Sequence, residues 1–222
     1  MEYMISELKV CAEANDKRGE AWSRNYIGGV PNSAKLWSTF MKGDISTYFG
    51  AWAPFYNLHK MFAGLRDAWL YCGNEEAKRL FLKFCDWAVS ITAELSDEQM
   101  ERMLGNEHGG MDEVLADAYA ITGKQAYIDC ARRFAHKQLL LPMENHKDCL
   151  DNMHANTQIP KVLGFQRIAE LTHDVKYHDA SEYFWDIVTK ERSLALGGNS
   201  RREHFPTKET CIDYVNDIDG PE

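Results

Sequence analysis

A helical pattern repeats along this chain with a period of 50 residues. Phe84, Phe134 and Phe184 share one register, and mostly apolar side chains recur around each of them at helical spacing. Positions spaced 0, 3, 4, 7, 8 and 11 residues apart fall on one face of an α-helix, so the pattern predicts three equivalent amphipathic helices.

The helix that precedes each of these three helices repeats as well. One of its positions is occupied in turn by Met61, Met111 and Lys161. Gly73 and Gly123 lie between the two helices of their units, where a left-handed residue is expected after a helix, and His173 takes that place in the third unit. The repeating unit is therefore a helix, a tight turn, a second helix and a longer loop. The residues "SDEQ" at 96–99 form a capping box and predict a short extra helix within one loop.

Helical hairpins of this length stack into either an open solenoid or a closed toroid. The loops between the hairpins are long and carry the unusual polar residues, as "MLGNEHGGMDE" and "LALGGNSRREHF" illustrate. This favours the toroid, in which such loops converge on one end and form a pocket. We therefore predict an all-α fold of helical-hairpin repeats that form part of a toroid.

The composition excludes several classes of function. The formal net charge is −9, whereas binding to nucleic acid or to an anionic membrane surface requires clustered lysine and arginine. No apolar run approaches the ~20 residues of a membrane span, and the N-terminal "MEYMISELKVC" lacks the pattern of a signal peptide, so the compartment stays unassigned. The six cysteines form no CxxC pair, and Cys85 and Cys130 fall at apolar helix positions typical of reduced core thiols.

A histidine lies at or just before the start of the first helix in each repeat. His59, His108 and His154 could together bind a metal ion or hydrogen-bond to sugar hydroxyls, although each could equally cap or fill its own hairpin. Among the nearby aromatic residues, Phe55 is expected in the core, whereas Trp52 precedes the helix and is a better candidate for a pocket. Three further histidines have polar neighbours and are predicted at the surface: His136, His146 and His178.

Four ordered segments carry a family resemblance. "YNLHKMFAGLRDAW", "LGNEHGGMDEVLADAYAITG", "LDNMHANTQIPKVLG" and "GGNSRREHF" together resemble the β-L-arabinofuranosidase-like glycoside hydrolases of family 127 and its relatives. The resemblance implies an (α/α)6 barrel as the catalytic domain. It also implies hydrolysis of β-linked L-arabinofuranosides, or of related plant-polysaccharide sugars, with retention of configuration.

The resemblance also implies roles for individual residues. Glu203 matches the family's acid/base glutamate, and His59, His108 and His154 match its pocket histidines. The nucleophile of the family is a zinc-bound cysteine thiolate, so zinc is the implied cofactor. Its zinc-binding glutamate precedes a cysteine, and Glu222 is preferred for this role on spacing, while Glu209 in "ETC" is the alternative.

The electrostatics of "GGNSRREHF" lead to a more specific expectation. An acid/base glutamate must be protonated in one step and ionised in the next, and a nearby arginine would lower its pKa. We therefore expect Glu203 to face a pocket while at least one of Arg201 and Arg202 faces solvent.

The resemblance further implies that residues 1–222 are an internal piece of a larger barrel, which would lack the first hairpins and the C-terminal part. Such a piece is expected to be inactive alone and to self-associate through exposed barrel edges. Two alternatives stay open. The chain could be a non-catalytic helical scaffold or carbohydrate-binding remnant, or it could be a toroid enzyme that pairs Glu203 with Glu107 or Asp112.

Overall fold

The computed structural model describes residues 1–214, apart from the side chains at 211, 212 and 214. The chain forms two compact units, Met1–Phe134 and Ala135–Glu222. Within residues 1–214 the regular structure is helical and contains no β-strand, only two isolated β-bridges. This confirms the prediction of an all-α fold.

The first unit contains two of the predicted hairpins, formed by α3 with α4 and by α6 with α7. Short 3-10 helices at Ala21–Ser23 and Tyr48–Gly50 flank its second α-helix. The α-helices of this unit are α1 (Glu2–Lys17), α2 (Ser33–Phe40), α3 (Pro54–Leu70), α4 (Glu75–Thr92), α5 (Asp97–Leu104), α6 (Met111–Thr122) and α7 (Gln125–Phe134).

The second unit contains the third hairpin, in which α9 packs against α10. Helix α8 also packs against α10. A 3-10 helix, Lys208–Tyr214, ends the described part of this unit. Its α-helices are α8 (Lys137–Glu144), α9 (Ala155–Thr172) and α10 (Val175–Glu191).

The 50-residue register is preserved in the structure. The second helices of the three hairpins begin at Glu75, Gln125 and Val175, which are 50 residues apart. Their phenylalanines are buried, with Phe84 and Phe134 fully buried and Phe184 5% exposed. This is the arrangement expected of part of an (α/α)6 toroid, because each hairpin buries the same face of its second helix.

The turns between the paired helices also agree with the sequence. Gly73, Gly123 and His173 have φ values of 67°, 69° and 56°, so all three adopt the left-handed conformation expected after a helix. Ser96 and Gln99 form the predicted capping box at the start of α5. Local sequence signals therefore determine where these helices begin and end.

Aromatic side chains fill the core of the first unit. Trp37 and Trp87 meet edge to face with ring centroids 4.9 Å apart, and the rings of Phe62 and Phe84 stack at 3.9 Å. Phe55 is fully buried among them, as predicted. None of the helices in residues 1–214 combines the length and apolar character needed to cross a bilayer.

Candidate active site

The segment around Glu203 forms a tight backbone turn. The amide and carbonyl groups of Arg201 and His204 are hydrogen-bonded to each other at 2.8 and 3.0 Å. The two residues between them, Arg202 and Glu203, have φ values of 48° and 68°. Consecutive positive φ values are typical of two-residue hairpin turns, which glycine and asparagine usually occupy. The backbone at Glu203 is therefore strained, and its surroundings must hold it in place.

Backbone hydrogen bonds fasten this turn to the start of α9. The amide of Ala155 donates to the carbonyl of Glu203 at 2.8 Å, and the amide of Phe205 donates to the carbonyl of Met153 at 2.9 Å. The amide of Asn152 donates back to the carbonyl of Phe205 at 2.9 Å. The Phe205 side chain is fully buried and anchors the segment, so Glu203 is fixed at the N-terminal end of α9.

A buried arginine holds the other side of this loop. Arg192, at the end of α10, is 4% exposed. Its guanidinium donates to Asp148 Oδ2 and to the carbonyl of Pro206 at 2.8 Å, and to Asp151 Oδ1 at 2.5 Å. A buried charge needs such partners, and here they tie the loop before α9 to the segment after Glu203. No sequence signal connected Arg192 with these acids, because the residues lie about 40 positions apart.

His154 both caps α9 and contacts the candidate acid/base. Its Nδ1 accepts a hydrogen bond from the amide of Thr157 at 3.3 Å, and its Nε2 lies 3.4 Å from Glu203 Oε2. Because Nδ1 is an acceptor, the neutral ring carries its proton on Nε2, which faces the carboxylate. The capping interpretation of His154 is therefore confirmed, while its role in binding a ligand stays a prediction.

Buried polar side chains support the backbone of His154. Gln158 Nε2 donates to the carbonyl of His154 at 3.2 Å, and Gln158 Oε1 accepts from Lys161 Nζ at 3.0 Å. Lys161 Nζ also lies 3.0 Å from His136 Nδ1. The prediction that His136 is at the surface is wrong: it is 5% exposed, and burial together with Lys161 lowers its pKa to about 3.

The exposure of Glu203 differs from the expectation. Its side chain is 64% exposed, so the second unit alone does not enclose it. Arg202 is exposed, as expected for at least one of the two arginines, and the Glu203 carboxylate lies 3.4 Å from His154 Nε2. The structure thus brings Glu203 and His154 together at an accessible surface of this unit.

His59, in the first unit, lies in an unusual environment. It is 7% exposed, and neither ring nitrogen has a hydrogen-bond partner within the described residues. Burial, with smaller contributions from Lys60 and Arg66, lowers its pKa to about 4. A methyl group on Gly109 would lie 2.5 Å from Nδ1, and one on Gly110 would lie 2.9 Å from Nε2. The two glycines of "EHGG" therefore allow the backbone to approach the ring directly.

His108 and its neighbours pack around the same segment. His108 is fully buried, with Nδ1 3.4 Å from the carbonyl of Asn106 and its ring 6.3 Å from that of Phe134. Asp112 is also fully buried. Glu113 Oε1 on α6 forms an ion pair with Arg66 Nη1 on α3 at 3.0 Å. Glu113 therefore has a structural role.

Trp52 lies elsewhere in the first unit. Its side chain is 90% exposed and lines a pocket of about 790 Å³. The neighbouring Phe55 is in the core. The prediction for Phe55 is therefore confirmed, whereas ligand binding by the exposed Trp52 stays a prediction.

The described residues do not assemble the zinc site that the resemblance implies. Within residues 1–214 there is no group of three or more histidine, cysteine and acidic side chains placed to hold a metal ion. Glu209 is exposed in the last 3-10 helix, and Glu222 lies outside the described residues. Burial raises the pKa of Cys85 and raises that of Cys130 to about 11, so both behave as inert core thiols.

The helical hairpins, with a carboxylic acid beside a histidine at a loop end, define an all-α protein with a candidate acid/base site. The comparison with protein families is more specific: the model of the β-L-arabinofuranosidase GH127 catalytic domain matches residues 1–218. The chain belongs to this family, which confirms the resemblance carried by its four sequence segments. No curated protein matches the chain.

Proposed function

We propose that residues 1–222 form part of the catalytic domain of a retaining glycoside hydrolase acting on β-linked L-arabinofuranosides or related plant-polysaccharide sugars. In this proposal Glu203 is the general acid/base. The observation that carries it is the strained turn, which presents the Glu203 carboxylate 3.4 Å from Nε2 of His154. Strained backbone conformations cluster at functional sites, where the surrounding structure holds them in place.

The geometry suggests how Glu203 would work. In the first step, the enzyme's nucleophile bonds to the anomeric carbon while protonated Glu203 gives its proton to the glycosidic oxygen, so that the glycosidic bond breaks and the leaving group departs as an alcohol. Glu203 is then a carboxylate, and the Nε2–H of His154 stabilises this charge by a hydrogen bond. In the second step, Glu203 takes a proton from the attacking water and returns to its acid form.

We further propose that His59 and His108 bind sugar hydroxyls. With a pKa of about 4, the His59 ring is neutral at pH 7 and offers one donor and one acceptor. Leaving both nitrogens unpaired in a buried position costs free energy, so a ligand that satisfies them would regain it. A sugar ring carries hydroxyl groups that can donate to one nitrogen and accept from the other.

Zinc and a cysteine nucleophile stay predictions from the family resemblance. Bound zinc would keep a cysteine thiolate deprotonated and correctly placed. The preferred ligand, Glu222, lies beyond the described residues.

The proposal is tested by hydrolysis of an aryl β-L-arabinofuranoside, measured with the 222-residue chain and with the same chain in its native flanking sequence. We expect turnover only in the longer protein, because the described residues hold no metal-binding group for the zinc-bound cysteine that the resemblance implies. Glu203→Gln should lower kcat in that protein by about 1,000-fold, since an amide cannot exchange the proton.

Glu182→Gln is a matched control, because Glu182 is also an exposed glutamate beside a histidine, with His178 Nε2 at 3.9 Å. This variant should keep full activity. Sugar binding without turnover in the longer protein would favour the carbohydrate-binding remnant, and full activity of Glu203→Gln would overturn the assignment of the acid/base.

A further inference from the structure

The first unit contains a pocket that the proposed reaction does not use. It lies between the start of α2 and the loop before α3, and its volume of about 790 Å³ is that of an ordinary small-molecule site. Polar and apolar side chains both line it, including Asn32, Lys35, Thr47, Trp52 and Met61.

This pocket and the His59 ring lie on different faces of α3. Leu58 and Met61 line the pocket, whereas the ring of His59 meets Gly109 and Gly110. Successive helical residues are rotated by about 100°, which separates His59 from both pocket-lining neighbours. The pocket is therefore distinct from the environment of the candidate sugar-binding histidine.

Trp52 supplies a free aromatic face at the pocket. Its side chain is 90% exposed, and it makes no ring contact among the described residues. Asn57 Nδ2 donates to the carbonyls of Trp52 and Ala53 at 3.2 and 3.1 Å, so the backbone below the indole is fixed. An exposed indole on a fixed backbone offers a large apolar surface to a ligand that stacks on it.

The charge of the lining contrasts with that of the chain. The protein carries 34 acidic residues and a net charge of −9, yet the described residues that line the pocket include no carboxylate, and Lys35 is the one ionisable side chain among them. Thr47 contributes a buried hydroxyl oxygen that has no hydrogen-bond partner in the described part of the chain. The lining thus combines a cation, an unsatisfied hydroxyl and a stacking surface.

We propose that this pocket is a subsite for an acidic saccharide, with a sugar ring stacked on Trp52 and its carboxylate close to Lys35. This inference rests on the proposed function, because it assumes that the substrate is a polysaccharide. It adds that the chain recognises a uronic-acid segment of that polysaccharide through its first unit.

The test is calorimetric binding of trigalacturonate to the 222-residue chain, with the methyl ester of the same trimer as the neutral control. We expect the free acid to bind more tightly than the ester. Trp52→Ala should weaken binding of the acid about tenfold, whereas Trp185→Ala should leave it unchanged, since Trp185 is 67% exposed on α10 and does not line the pocket. Lys35→Gln should weaken binding of the acid by about two- to fivefold and leave that of the ester unchanged.

The proposal would be overturned if the wild-type chain bound the acid and its ester equally well, or if it bound the acid undetectably. It would also be overturned if Trp52→Ala bound the acid with full affinity. Both substituted side chains are exposed, so the variants should fold, and circular dichroism checks this. The outcome is independent of the acid/base assignment, because hydrolysis is measured at Glu203 on a small aryl glycoside that carries no uronic acid. If the saccharide does not bind, the acid/base assignment of Glu203 still stands. If the hydrolysis test fails, the binding measurement remains valid.

Discussion

Replacing His59 with leucine should separate stability from function. His59 is buried, its two ring nitrogens lack partners in the described residues, and its pKa is lowered to about 4. Leucine has a similar volume and no polar atoms to desolvate. We therefore expect His59→Leu to be as stable as the wild type at pH 7 or more stable by about 1 kcal/mol, while any sugar binding through the ring is lost.

The pH dependence gives this prediction a magnitude. In the unfolded chain a histidine has a pKa near 6.5, so between pH 6.5 and pH 4 the unfolded state binds a proton that folded His59 does not. The wild type thus loses stability as the pH falls through this window, by about 1.4 kcal/mol per unit, and none of this loss occurs above it. Between pH 7 and pH 4.5 the His59 contribution is about 2.5 kcal/mol.

Urea unfolding of both proteins at pH 7 and pH 4.5 measures this difference. The variant should lose about 2.5 kcal/mol less than the wild type, because leucine cannot be protonated. His136, whose pKa is lowered to about 3, lowers the free energy of unfolding equally in both proteins as the pH falls. Its effect therefore cancels in the difference between them. Equal losses in the two proteins would refute the inference that His59 is held neutral by burial.

Three further changes test other contacts. Gly109→Ala should destabilise the first unit by about 2–3 kcal/mol in urea, because Gly109 has a φ of 58° and the new methyl would lie 2.5 Å from Nδ1 of His59. Arg192→Met should cost about 3 kcal/mol, measured in the same way, because it leaves two carboxylates without their buried partner. Lys161→Met should raise the pKa of His136 above its value of about 3, followed by NMR, yet keep it below 6.5, because burial is the larger cause.

The hairpin architecture was predictable because its signals are local. The spacing of the three phenylalanines determined the register, and the residues at 73, 123 and 173 marked the turns that the structure places in the left-handed region. Each of these features depends on neighbours within one helical turn or one tight turn. Short-range periodicity and backbone sterics are therefore sufficient to define them.

The supporting contacts of the candidate site were not predictable in the same way. Arg192 reaches Asp148 across 44 residues, and Lys161 reaches His136 across 25, although the repeat assigns Lys161 to a position that methionine holds twice. Such pairs are decided by which helices pack together, which a single sequence does not reveal. The strained turn at Glu203 was missed for a related reason, since its conformation is imposed by backbone pairing with the start of α9.

The central claim is that Glu203 donates the proton to the leaving group. Its most direct test compares Glu203→Ala with the wild type, in the native flanking sequence, on aryl β-L-arabinofuranosides with poor and with activated leaving groups. If Glu203 is the general acid, the variant should lose about 100-fold or more in kcat/KM on the poor leaving group and far less on the activated one, which departs without protonation. Equal losses on both substrates would contradict the claim and would leave Glu203 as a structural residue of the turn.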